Sequence, residues 1–83
     1  MFVKRLLRAW HGRAAGTMVV LGTDEHDELA RAAILEPNSI VKELIRDWEG
    51  PDGVTYPAGT RVQLDEATKR QLESVKAVRP TVI

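Results

Sequence analysis

Ala15-Gly16-Thr17-Met18-Val19-Val20-Leu21 returns 43 positions later as Ala58-Gly59-Thr60-Arg61-Val62-Gln63-Leu64. The stretch ahead of it also repeats. Phe2-Val3-Lys4-Arg5-Leu6-Leu7-Arg8-Ala9-Trp10-His11-Gly12 returns, 38 positions on, as Ile40-Val41-Lys42-Glu43-Leu44-Ile45-Arg46-Asp47-Trp48-Glu49-Gly50. Eleven of these 18 aligned positions are identical. An internal repeat fixes the unit of folding, so it is read before anything else. The chain reads as two modules, residues 1–36 and 37–83, of roughly 40 residues each. Units this short are marginal alone, so the expectation is one small domain over residues 1–83.

Each module gives the same string of signals. Phe2 to Trp10 and Ile40 to Trp48 carry apolar residues at a helical spacing, yet they are rich in β-formers and end at a glycine. Strand is the preferred reading of both because a turn and a strand follow. Arg13-Ala14-Ala15-Gly16 and Tyr56-Pro57-Ala58-Gly59 read as type I turns with Gly last, Pro57 standing second. In the second strand of module 2, Thr60, Val62 and Leu64 alternate with Arg61 and Gln63, as a strand with one wet face does. Module 1 has Met18 and Val20 at the polar places. Its strand is apolar on both faces, and so is either central or covered, a partner protein included.

A helix follows each strand. Thr23 or Asp24 is the expected cap of the first, with Asp24, Glu25, Asp27 and Glu28 near its positive end. Asp65 is the expected cap of the second. Leu29, Ala32 and Ala33 form one apolar stripe, and Leu72 and Val75 match Leu29 and Ala32. Leu21, Leu29, Leu64 and Leu72 are expected in one shared core. Pro37 sets the extended linker Glu36-Pro37-Asn38. Five extra residues in module 2 fall within Gly50 to Tyr56 and lengthen its hairpin. The fold expected is therefore α+β, two tandem ββα modules packed into one small pseudosymmetric domain.

Composition narrows the chemistry. Net charge is zero and the pI is about 6.7, unlike a general polyanion binder. There is no cysteine, hence no disulfide or thiolate chemistry. No apolar run reaches the length of a membrane span, and the charges near the N-terminus do not suit a signal peptide. His26 stands among acids, but successive helical residues point apart, so it reads as part of a solvated helix start rather than a metal site. His11 reads as a surface-loop residue. No phosphate loop is present, and Thr17, Ser39 and Thr60 have no recognisable base. No catalytic, cofactor or metal residue is assigned. Trp10 and Trp48 are expected to plug the core at equivalent places. Lys4, Arg5, Arg8 and Arg13 make the start of the chain basic. A small β-rich nucleic-acid-binding module is thus the alternative function, although the exposed aromatics used for base stacking are missing.

The pattern resembles a known family. Val3, Lys4, Leu6, Leu7, Gly16, Val19, Leu21 and Leu29, and again Val41, Lys42, Leu44, Ile45, Gly59, Val62, Leu64, Leu72 and Ala77, are similar to short proteins of the head and capsid gene cluster of tailed bacteriophages. Those commonly carry one module, and here there are two. The resemblance implies a non-enzymatic virion protein, assembled in the host cytoplasm. Its partner would be the major capsid protein or another virion protein, with a homo-oligomer on the capsid as a further expectation. It would bind no membrane, cofactor or nucleic acid. Met18 and Val20, with Val78, Arg79, Val82 and Ile83 of the tail, are the candidate partner-binding residues. The tail is expected to add to a neighbouring sheet, with Pro80 limiting that pairing to one side.

Overall fold

Strand β1 (Phe2–Arg5) is buried without alternation from Phe2 to Lys4, and the computed structural model, which describes residues 1–80, shows why. β1 lies inside a four-stranded mixed sheet of order β2-β1-β6-β3 and is covered on both faces. Its neighbours are β2 (Met18–Leu21), antiparallel, and β6 (Arg61–Leu64), parallel. β3 (Ile40–Glu43) closes the far side, antiparallel to β6. Helix α1 (Thr23–Arg31) follows β2, and α2 (Glu66–Ser74) follows β6. A short hairpin of β4 (Trp48–Glu49) and β5 (Thr55–Tyr56) holds the residues that lengthen the second half. The described residues thus form a small α+β domain with two helices.

The two helices lie on opposite faces of the sheet. Phe2 belongs to a core with Leu6, Val19, Leu21, Leu29 and Leu35. Val3 belongs to another, with Leu44, Val62, Leu64, Leu72, Ala77 and Val78. Successive strand residues point to opposite faces, so Leu29 of α1 and Leu72 of α2 are separated by the sheet. This corrects the expectation of one shared core for Leu21, Leu29, Leu64 and Leu72. The cause is the alternation within β1, where neighbours in sequence serve different helices.

Local chemistry repeats between the halves. Leu6 N–H donates to Thr17 O and Leu44 N–H to Thr60 O, both at 2.9 Å. Gly16 N–H donates to Leu6 O and Gly59 N–H to Leu44 O, both at 2.7 Å. Thr17 N–H reaches Ala14 O and Thr60 N–H reaches Pro57 O, at 3.2 Å each. The turns are therefore Ala14–Thr17 and Pro57–Thr60, one residue later than the sequence suggested. Gly16 (φ 89°) and Gly59 (φ 95°) take the third position, as in a type II turn, where only glycine is unstrained. Pro57 consequently stands first, not second.

Helix ends also match. In α1, Ile34 N–H donates to Leu29 O and Ala33 N–H to Ala30 O; in α2, Ala77 N–H donates to Leu72 O and Lys76 N–H to Glu73 O. These are Schellman ends, with Ala33 and Lys76 at φ 60° where glycine is usual. The starts differ. Asp65 caps α2 by accepting from Thr68 N–H at 2.8 Å, as expected. The cap position of α1 is Gly22, with no side-chain bond, rather than Thr23 or Asp24. Ala32, Ala33 and Val75 are exposed, so the apolar stripes are narrower than the sequence implied. Trp10 and Trp48 are half-buried, one against each core.

Candidate functional site

The residues singled out for partner binding do not come together. Met18 and Val20 lie on β2, an edge strand rather than a central one. They are half-buried against the α2-side core, and Pro51 and Asp52 of the long hairpin share their surface groove. That face is therefore covered largely by the chain itself. Val78 is fully buried in the α2-side core and bridges Leu44, so it offers no surface to a partner. This too is a correction: an apolar residue just after a helix packs beneath its own sheet before the chain can leave the domain. Arg79 is exposed, and its carbonyl accepts from Lys42 Nζ at 3.1 Å. Val82 and Ile83 lie outside the described residues. Met18 and Val20 thus stand at one edge of the sheet, while Val78 and Arg79 stand beside β3 at the other.

The basic N-terminal stretch is also divided. Lys4 is fully buried. Its Nζ donates to Glu36 O at 2.6 Å and Asn38 O at 3.1 Å, and it lies 2.8 Å from His26 Nε2. An ammonium has only donors, so Nε2 is the acceptor and the imidazole proton sits on Nδ1, 3.2 Å from Asp27 Oδ1. His26 is 4% exposed and stacks on Phe2 with ring centroids 3.8 Å apart. It is not a solvated helix-start residue: its helix position turns it toward β1. Burial pushes the Lys4 ammonium below its ordinary range, and the Asp65 and Glu36 carboxylates oppose that shift. The cluster lashes the linker at residues 36–38 to β1. Its nitrogen is sealed from solvent, so the arrangement is a structural clamp. Arg5 is half-buried with Nη1 on Gly16 O at 3.1 Å. Arg8 and Arg13 are exposed, as is His11, which sits at φ 48° in a tight turn bridged by Trp10 and Arg13.

Among the described residues, exposed apolar side chains also lie along the outer side of β3. Leu44 exchanges backbone bonds with Thr60 and Gly59, so alternate residues Ile40 and Lys42 also face β6. Val41 and Glu43 therefore aim their backbone groups away from the sheet. Farther along, Ile45 N–H is taken by Ala77 O at 2.8 Å. A shallow groove runs here past Val41, Glu43, Ile45, Ala58 and Arg79. Val41 is 58% exposed and Ile45 46%. Sequence reading missed this edge because Val41 and Ile45 stand at places that resemble core positions.

Among the described residues, no three His, Asp or Glu side chains gather as a metal site. No helix among them is long and apolar enough to cross a membrane. Compared with known protein families, curated proteins and solved structures, the chain matches none.

Proposed function

We propose that this chain is a non-enzymatic structural protein of a tailed-phage virion, made of two tandem ββα units and docking on capsid protein. The units would be related by a half-turn about an axis lying across the strands in the sheet plane, combined with a shift of two strands. Such a relation carries β1 onto β3 and β2 onto β6, and it sends the two helices to opposite faces. The observation that supports the structural reading best is the placement of the motif residues. Val3, Lys4, Leu6, Val19, Leu21 and Leu29, with Leu44, Val62, Leu64, Leu72 and Ala77, are buried. What resembles the phage proteins is a scaffold, and its surface is left to bind. The open β3 edge, with Val41 and Ile45 exposed, is the kind of surface that takes up another strand.

The nucleic-acid alternative is weakened because Lys4 is buried, although Arg8 and Arg13 remain exposed. Co-expression with the major capsid protein encoded in the same genome separates the two. The virion reading expects the chain to sediment with assembled capsids and to bind duplex DNA no more tightly than a neutral control. Absence from assembled capsids, together with salt-dependent DNA binding lost in Arg8→Ala/Arg13→Ala, would replace it with the alternative.

A further inference from the structure

Among the described residues the sheet holds one junction between its halves, and its outer strands are the repeat counterparts of the two strands that meet there. At the junction β1, the first strand of its half, pairs in parallel with β6, the second strand of its half, matching Phe2 with Gln63 and Val3 with Leu64. Gln63 N–H donates to Met1 O at 2.8 Å. The outer strands of the sheet are β3, a first strand, and β2, a second strand. Shifted by the repeat, Phe2 and Val3 become Ile40 and Val41, while Gln63 and Leu64 become Val20 and Leu21.

The backbone at each edge faces the required way. Val41 directs its N–H and C=O outward from β3, as Val3 does toward β6. Val20 directs its own outward from β2, because Val19 and Leu21 exchange with β1 in the ladder that Leu6 N–H to Thr17 O continues. Among the described residues the segment after α2 meets the chain just past β3 at Leu44, which Val78 bridges, and at Ile45. Ile34 O takes Leu7 N–H, just as Ala77 O takes Ile45 N–H. In the first half that contact leaves Phe2 and Val3 to pair with β6, and among the described residues no backbone group takes the outward N–H or C=O of Val41. The contrast in burial is large: Val3 is 0% exposed and Val41 is 58%.

We infer that the chain associates with itself head to tail, the β3 edge of one copy pairing in parallel with the β2 edge of the next and repeating the internal β1–β6 junction. Ile40 then lies opposite Val20 of the second copy, and Val41 opposite Leu21. Both edges belong to different surfaces, so the contact is heterologous and does not stop at two copies. The accumulated sheet twist bends the array into a ring or a helical filament. This contact is weaker than its internal template at one point. In the template, Asp65 Oδ2 accepts from Arg5 N–H at 2.8 Å. The corresponding residues are Gly22, which has no carboxylate, and Glu43, whose side chain adds negative charge beside the acidic start of α1.

The weak point supplies the test. Wild type should show a sedimentation coefficient that rises with concentration. Val41→Pro removes one outward N–H at an exposed edge, and should sediment as a monomer with its thermal unfolding nearly unchanged. Gly22→Asp/Glu43→Gln restores the acceptor and removes the repulsion, and should associate at about tenfold lower concentration. The protein has no cysteine, so single-cysteine variants report the pairing directly. Ile40→Cys mixed with Val20→Cys should give a mixed disulfide dimer, and neither alone should cross-link. A concentration-independent monomer for both wild type and Gly22→Asp/Glu43→Gln overturns the inference. So does cross-linking of Ile40→Cys with itself, which marks a symmetric dimer.

Discussion

Lys4 and Lys42 stand at the same place in the two halves, yet one is sealed and the other is not. Lys4 is fully buried, while Lys42 is half-buried and donates to Arg79 O. The helices also differ at the position equivalent to His26, which contacts Lys4. The position of His26 in α1 is Lys69 in α2, which sits 3.4 Å from Glu66 and 3.8 Å from Glu73. An imidazole nitrogen accepts a bond from an ammonium, and a second ammonium cannot. At Lys4 the ammonium thus ties the linker at residues 36–38 to the sheet.

The largest expected effects test whether each half has its own core. Leu29→Ala and Leu72→Ala should each destabilise the domain by roughly 2–5 kcal/mol, measured by urea unfolding. Equal damage from the surface-exposed Val75→Ala would show that the buried faces are wrongly assigned. Next comes the lysine pair. Lys4→Ala leaves two carbonyls and an imidazole without their donor and should cost roughly 2–3 kcal/mol, against less than about 1 kcal/mol for Lys42→Ala. Similar losses at both positions would remove the contrast between the halves.

A smaller effect of opposite sign is expected at the helix ends. Ala33→Gly and Lys76→Gly relieve a left-handed conformation and should stabilise by up to about 1 kcal/mol, the gain being limited by the added freedom of the unfolded chain. A loss at either site would mean that its side chain packs favourably. The smallest effect is one of pH. Burial first, opposed by Asp65 and Glu36, holds the folded-state pKa of Lys4 below 10.5. Between that lowered value and 10.5 the unfolded chain binds more protons, so this group's contribution to stability rises with pH. The melting temperature of wild type relative to Lys4→Met should therefore climb through the alkaline range. A flat difference would show that burial does not perturb the ammonium.

The repeat made a strand at the start of each half, both helices and the Asp65 cap legible in the sequence, although β1 ends at Arg5 and β3 at Glu43, short of Trp10 and Trp48. The side of the sheet taken by each helix was not. Phe2-Val3-Lys4 is buried throughout, so it lacks the alternation that would have assigned its faces. The turns were misplaced by one residue because a positive φ at Gly16 and Gly59 leaves no mark beyond glycine itself. His26 was misread because four acidic neighbours hide the one side chain that points inward. The lysine repeated inside an apolar strand, at Lys4 and Lys42, was the available signal that a polar group serves the interior.

The two helices pack over separate cores on the two faces of one sheet. Nuclear Overhauser contacts in the folded protein test this most directly. The account predicts cross-peaks from the Phe2 ring to Leu29 methyls and from Val3 methyls to Leu72 methyls, with none between Leu29 and Leu72. A direct cross-peak between the Leu29 and Leu72 methyls would place both helices on one face and contradict it.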